Sequence, residues 1–260
     1  MKYKLLAADM DGTLLNGDYA MTRRTREALR AAMDAGVLFV PSTGRPMLGM
    51  EWLNALFPED LPYIVFNGAL VLTGKSRGVL YSRPLDAAYA HEIFEMGLRL
   101  DIPMIIWEGD RLFTNRDCEA TREYRTITGA QLHVIGALDH SVTKMLWLLT
   151  PEEALRYQEE MRARYRERLN WHTSRPYMLE VVAAEASKGR ALAEIGAAYG
   201  IEAGEMIAVG DGHNDISMLE YAGLGVAMGN APEAVKRVCQ HTTLSNDEDG
   251  VAAVIEKYFL

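Results

Sequence analysis

Apolar residues fall along the first 70 positions in short runs, each closed by small or polar residues. Residues 5–8 run into Asp9-Met10-Asp11-Gly12-Thr13, 37–40 into Pro41-Ser42-Thr43-Gly44-Arg45, and 63–66 into Asn67-Gly68-Ala69. Runs this short, apolar throughout rather than alternating, predict strands buried on both faces. Between the first two, Thr22 predicts the cap of a helix to about Ala35, ended by Gly36. Strand, helix, strand, helix, strand is the pattern of a doubly wound parallel sheet.

From about residue 70 the pattern changes. Apolar triplets at 70–72 and 79–81 flank Gly74-Lys75-Ser76-Arg77-Gly78 and predict a hairpin. Residues 84–186 then alternate helices near 86–99, 118–126 and 152–168 with strands near 104–107, 112–114, 144–149, 171–173 and 178–182. In the third helix Leu155, Met161, Tyr165 and Leu169 recur at helical spacing and predict one buried face. This stretch reads as a separate α+β module inserted into the first. The strand–helix pattern resumes at Ser187, with a helix to about Tyr199 ended by Gly200. A strand at 206–209 runs into Gly210-Asp211-Gly212-His213-Asn214-Asp215; a helix to Ala222, a strand at 225–228 and helices from Pro232 and Asp247 follow. The expected fold is α/β: a doubly wound, Rossmann-like core of residues 1–82 and 187–260, with an α+β domain inserted at 83–186.

Composition narrows the function. Hydrophobic residues at 49% and charged residues at 24% are values of a folded globular chain. A formal charge of −9 argues against nucleic acid or an anionic membrane as the main partner. Cys118 and Cys239 fit neither a disulfide framework nor a metal knuckle, which leaves two reduced, buried thiols. The N-terminal apolar run stops at Asp9, too short for a signal peptide, and nothing approaches the ~18 apolar residues of a spanning helix. The expectation is a cytoplasmic protein. Most of the 14 Met residues read as core filler, although Met47 and Met50 follow the Thr43 loop and could line a pocket.

Asp9 and Asp11 stand at i, i+2, a spacing that points both side chains one way from an extended backbone. Ligands of open parallel sheets bind beyond the carboxyl ends of the strands, where this pair would sit. Two carboxylates so close need a cation or a shared proton, and oxygen donors of this kind suit Mg²⁺. A calcium loop counted from Asp9 fails, since its required Gly falls on Leu14 and its Glu on Ala20. Residues 223–229 look superficially like a dinucleotide loop but have the wrong spacing. His213 lies beside Asp211, yet hard Mg²⁺ prefers oxygen. Four strand ends or helix starts thus carry reactive residues: Asp9/Asp11, Thr43-Gly44-Arg45, Lys188-Gly189, and Asp211 with Asn214 and Asp215. One parallel sheet would bring them to a single crevice.

Together these stretches resemble the haloacid dehalogenase superfamily of phosphatases, specifically its Cof-like subfamily with a type IIB cap. The matching segments are DMDGT at 9–13, STGR at 42–45, NGA at 67–69, SKGRAL at 187–192 and GDGHNDISML at 210–219. The resemblance covers essentially the whole chain. One departure is Pro41-Ser42, where relatives usually carry a small apolar residue and Ala.

The resemblance implies that Asp9 is the nucleophile and Asp11 the general acid, then base. It implies Mg²⁺ held by Asp9, the Asp11 carbonyl and Asp211, with Asp215 nearby. The N–H groups of Met10 and Gly44, with Thr43, Lys188 and Asn214, would cradle the phosphoryl group; Arg45, Asn67 and Gly68 would meet the substrate. The inserted module would be the cap that selects the substrate, with Trp107, Glu108, Trp171, His172 and Arg175 as candidate contacts. The substrate would be a small phosphorylated metabolite, such as a sugar phosphate or a phosphorylated vitamin or cofactor. A phosphotransferase or phosphomutase using the same aspartyl-phosphate is the alternative within enzymes, and a slow-turnover regulatory module the alternative outside them. Dehalogenases of the superfamily lack an acid two residues after the nucleophile, so Asp11 favours phosphoryl chemistry.

Overall fold

Leu5, Leu6, Ala7 and Ala8 are wholly buried in the computed structural model, which describes residues 2–260. They form β1 (Leu5–Asp9), which pairs in parallel with strands on both sides. An apolar run without alternation is what a strand covered on both faces requires. After β1 come α1 (Arg23–Asp34), β2 (Leu38–Ser42), α2 (Glu51–Leu56), β3 (Pro62–Val65), β4 (Leu70–Thr73) and β5 (Val79–Ser82). Thr22 caps α1 as expected, its hydroxyl accepting from the Thr25 amide.

Residues beyond β5 form α3 (Ala87–Arg99), β6 (Met104–Glu108), β7 (Arg111–Thr114), α4 (Glu119–Thr128), β8 (Leu132–Val134), β9 (Lys144–Leu148), α5 (Pro151–Tyr165), β10 (Leu169–Arg175) and β11 (Met178–Ala183). The chain ends through α6 (Lys188–Tyr199), β12 (Met206–Gly210), α7 (Ile216–Tyr221), β13 (Leu224–Ala227), α8 (Glu233–Lys236), β14 (His241–Thr242) and α9 (Gly250–Tyr258).

Two compact units result. The first holds the described residues up to Arg45, Glu51–Tyr81 and Ser187–Leu260; the second holds Pro46–Met50 and Ser82–Ala186. The first unit's sheet has the order β14-β13-β12-β1-β2-β3-β4-β5. Its strands from β14 to β3 pair in parallel, and β4 returns antiparallel to β3. The order reverses direction at β1, flanked by β2 and β12, which places the carboxyl end of β1 at the switch point of the sheet.

The second unit's sheet has the order β10-β11-β9-β6-β7-β8. One of its faces carries Met104, Ile106, Met145, Trp147, Leu169, Trp171, Leu179 and Val181, packed with Ile93 and Phe94 of α3 and Met161 and Tyr165 of α5. Two expectations for α5 fail. Leu155 is 61% exposed, and Leu169 opens β10 because the helix stops at Tyr165. The buried face is instead Ala154, Met161 and Tyr165. The short strands β8 and β14 are also absent from the sequence reading, since neither has an apolar run. Cys118 and Cys239 are free but only half-buried, and no described helix is long and apolar enough to cross a membrane.

Candidate active site

The parallel register sets the site. Asp9 pairs with Ser42 at the end of β2, and Ala8 with Val209 one residue before the end of β12. Asp9, Thr43 and Asp211 therefore leave adjacent strands at one level. After Asp9 the chain coils tightly, the Leu14 amide reaching back to the Asp9 carbonyl (3.2 Å) and Leu15 to that of Met10 (2.9 Å). Gly12 permits this turn with φ of +82°, and a side chain there would strike the Asp211 carboxylate, its Cβ only 2.6 Å from Oδ2.

Lys188 is the first residue of α6, a helix capped by Ser187, whose hydroxyl accepts from the Arg190 amide. Its side chain is wholly buried, and Nζ donates to Asp9 Oδ1 and, at 2.6 Å, to Asp215 Oδ1. Asp215 is also wholly buried, and its other oxygen accepts from the amides of Asp211 (3.0 Å) and Gly212 (2.8 Å). Asp211 in turn accepts from the Thr13 hydroxyl at 2.7 Å. One oxygen from each of Asp9, Asp211 and Asp215 lies within 4.8 Å of the others. Such an all-oxygen set fits a hard divalent cation.

Burial dominates the electrostatics of this cluster. It pushes the Asp9 carboxyl up to about 7, past the opposing pull of Lys188, with Asp215 and Asp211 adding to the rise. Asp211 is likewise raised, chiefly by burial. Burial would lower Lys188, but Asp9 and Asp215 together hold it above its ordinary value, so it stays an ammonium. A lone Lys facing three carboxylates leaves negative charge unbalanced, and a bound cation would relieve it.

The remaining residues divide. Asp11 turns its carboxylate away from the cluster, into a two-armed pair with Arg45 whose Nε donates at 2.8 Å. Its carboxylate is therefore no part of the oxygen set, and only its backbone carbonyl is left as a candidate ligand. The Thr43 hydroxyl accepts from the Arg45 amide (3.1 Å), and Asn214 donates to Asn67 at 3.0 Å. Gly68 packs directly against the Ser187 carbonyl at the start of α6. Met10 is buried in the turn after β1. His213 is exposed and stands outside the carboxylate group.

Met47 and Met50 are wholly buried. In the second unit Trp171 is buried in the core described above, and the Trp107 indole donates to the Tyr124 hydroxyl at 2.9 Å. Three contributors went unread in the sequence. Thr13 steadies Asp211, and Asn230 donates to the Gly12 carbonyl at 2.8 Å. Asn246 donates to the Leu15 carbonyl at 2.9 Å. Thr13 belongs to the DMDGT segment at 9–13, which marks it as a neighbour of the acids; the two asparagines lie in loops with no chemical signature of their own.

Comparison with known proteins agrees with this geometry. The family described as haloacid dehalogenase-like hydrolase matches residues 6–255. YxeH of Bacillus subtilis (strain 168) is 36% identical over 267 residues, covering 99% of both chains. The 5-amino-6-(5-phospho-D-ribitylamino)uracil phosphatase YwtE of the same organism is 30% identical, covering 98% of this chain and 97% of its own. Among solved structures, a haloacid dehalogenase-like hydrolase from Bacteroides thetaiotaomicron superposes with a TM-score of 0.87 at 29% identity, covering 99% of this chain and 100% of that one. The subclass IIB sugar phosphatase BT4131 superposes with a TM-score of 0.79 at 27% identity, covering 98% of each.

Proposed function

The chain belongs to the haloacid dehalogenase-like hydrolase family and is a phosphatase of it; from that premise we propose that it hydrolyses a small phosphorylated metabolite, with Mg²⁺, through an aspartyl-phosphate (an acyl phosphate) on Asp9. The observation that carries the reading is the buried Lys188 ammonium bridging Asp9 and Asp215, with Asp211 beside them at the switch point of the sheet. Asp9, Asp211 and Asp215, with the Asp11 carbonyl, would hold the Mg²⁺. When bound, it supplies charge that keeps Asp9 ionised and offsets that of the phosphate.

In the proposed reaction an Asp9 carboxylate oxygen attacks phosphorus and the bond to the leaving oxygen breaks. Asp11 gives that oxygen its proton, so the product departs as an alcohol. Water then attacks the phosphorus held on Asp9, passes a proton to Asp11 and releases inorganic phosphate, restoring both carboxyl groups. The Met10 and Gly44 amides, the Thr43 hydroxyl, Lys188 and Asn214 would stabilise the equatorial oxygens, which is most of what phosphoryl transfer asks of a protein. Arg45 now grips the Asp11 carboxylate. For Asp11 to act as an acid, that guanidinium has to turn its charge to the incoming phosphate.

A sugar phosphate or a phosphorylated cofactor or vitamin is the proposed substrate class. It is supported by relatives whose names include a ribitylaminouracil phosphatase and a sugar phosphatase. The choice among such substrates is proposed to rest with residues 83–186. Several dozen phosphorylated metabolites assayed with Mg²⁺ and no added acceptor test the reading. A substrate in the ordinary enzymatic range, kcat/KM above about 10⁴ M⁻¹s⁻¹, is expected among them. Phosphorylation of Asp9 without phosphate release would overturn hydrolysis in favour of transfer to another acceptor or of a slow-turnover regulatory module.

A further inference from the structure

Three consecutive residues, Phe66, Asn67 and Gly68, have positive φ (51°, 56° and 96°). A left-handed run of this kind is costly for Phe66, a bulky residue that is also wholly buried. Asn67 is among the few side chains that tolerate it. Backbone strain held in place at a site is a reason to look for what it positions.

The run is tied down on three sides. The Phe66 amide donates to the Arg45 carbonyl (3.2 Å) and the Asn67 amide to the Thr43 carbonyl (3.0 Å). Gly68 lies so close to the start of α6 that a Cβ would sit 2.2 Å from the Ser187 carbonyl oxygen. The Asn67 side-chain oxygen accepts from the Asn214 amide at 3.0 Å. It also lies against Gly44, where an added Cβ would be 3.0 Å away.

Two of these bonds act on phosphate donors. The Thr43 carbonyl and the Gly44 N–H belong to one planar trans peptide and point in opposite directions. Fixing the carbonyl with the Asn67 amide therefore aims the Gly44 N–H. The bond from Asn214 fixes the amide of the other donor. We propose that Asn67 is a positioning residue that sets two phosphoryl donors at once, the Gly44 N–H through its backbone and Asn214 through its side-chain oxygen. This rests on the phosphatase reading and replaces direct substrate contact as the main role of Asn67.

Two substitutions hold the backbone role constant and isolate the side-chain role. Asn67→Gly keeps the left-handed backbone, and so the Thr43 bond, but removes the acceptor for Asn214. Asn67→Asp keeps both the left-handed tolerance and an acceptor oxygen, while adding negative charge beside the phosphate. Asn67→Gly should lower kcat/KM by about 10- to 100-fold, the cost of a misplaced catalytic group. In an Asn214→Ala background the same change should add less than about twofold, because the two residues act as one. Asn67→Asp should keep kcat within about threefold and show its loss in KM.

Nitrogen-15 spectra of the substrate-free protein give a reading independent of turnover. The Asn214 side-chain amide should move to a solvent-exposed position in Asn67→Gly and stay in place in Asn67→Asp, while the Gly44 amide stays in place in both. If the parent releases no phosphate from any substrate, the phosphatase reading falls and the spectra still decide the positioning. Full multiplication of the Asn67→Gly and Asn214→Ala effects overturns the proposal. So does an unmoved Asn214 signal in Asn67→Gly, or a displaced one in Asn67→Asp should the glycine variant fail to fold.

Discussion

Replacing Asp9 by Asn tests whether the carboxylate cluster is electrostatically incomplete without a cation. Burial raises the Asp9 carboxyl from its ordinary 3.8 to about 7, with the attraction of Lys188 already counted in that position. An acid raised in this way holds its proton more tightly in the folded chain than in the unfolded one. Its contribution to stability is whole below pH 3.8 and is lost as pH rises through about 7. At about 1.4 kcal/mol per tenfold change, that displacement is worth about 4 kcal/mol. Only 9% of the side chain is exposed, so solvent screens little of it. Asparagine does not ionise, so the variant should lack this loss. Urea titrations from pH 4 to pH 8 with a chelator present, following the amide exchange of β1 and β12, measure it directly. All distant titrating groups are common to parent and variant, so the difference between their curves isolates Asp9 and its neighbours. The variant should lose up to about 4 kcal/mol less than the parent across this range. Adding Mg²⁺ at pH 8 should then stabilise the parent by mass action and the variant much less. Parallel pH curves, or equal stabilisation by Mg²⁺, would refute the reasoning.

Chelation should silence phosphate release and Mg²⁺ should restore it, whereas Ca²⁺, which takes more ligands at longer distances, should not; full activity in Ca²⁺ alone counts against the assigned oxygen set. Asp11→Asn keeps the backbone carbonyl but neither gives nor takes a proton, which is typically worth about 10²–10⁴-fold. With an aryl phosphate, whose leaving group needs little protonation, it should show a burst near one equivalent and then trap phosphate on Asp9; with an alkyl sugar phosphate it should show no burst. Equal slowing of both substrates without a phosphoenzyme would remove Asp11 from both proton transfers. In the second unit Lys144 and Glu180 form a buried pair at 3.0 Å. Against burial, Lys144 and His172 hold the Glu180 carboxyl below its ordinary 4.5, so the pair's contribution is present above that pH and is lost as pH falls below it. Glu180→Gln should cost about 3–5 kcal/mol at pH 7 by removing the carboxylate charge that faces the buried Lys144 ammonium, while replacing both with apolar residues should cost far less, as thermal melts would show.

The parts of this protein legible in the sequence are those whose chemistry and position coincide in a short segment. A wholly buried parallel strand needs an apolar run, and the reactive residues follow each run directly, so Asp9, Thr43 and Asp211 carry their own address. Lys188 is similar, because the Ser187 cap marks the helix start on which it sits. What could not be read depends on partners far away in the chain. The Thr13–Asp211 bond spans 198 residues and the Asn230–Gly12 bond 218. No periodicity announces that two polar residues in separate loops will meet. The Lys144–Glu180 pair fails for another reason. Glu180 sits between Leu179 and Val181, and Lys144 opens β9 after Thr143; a single charge in or at the end of an apolar run reads as an edge or an exposed site until the partner strand is placed. Leu155 misled in the opposite direction, since apolar spacing along a charged helix says which residues can face a core without saying how wide that core is.

The charges around β1 also explain why the two acids that open the chain are treated so differently. Asp9, Asp11, Asp211 and Asp215 would bring four negative charges to one end of the sheet, with Lys188 and Arg45 as the cations that touch them. The fold spends the two cations unequally. Lys188 is buried between Asp9 and Asp215, where its ammonium is fixed and strongly coupled, while Arg45 is 37% exposed and holds an Asp11 that is 42% exposed. An exposed pair is worth little and parts easily, which suits the proton transfers proposed for Asp11. A buried ammonium gripped by two carboxylates does not part, which suits the role proposed for Lys188 of holding Asp9 in line. The remaining imbalance of two negative charges is the charge of one divalent ion, and it falls on the three carboxylates that lie closest together.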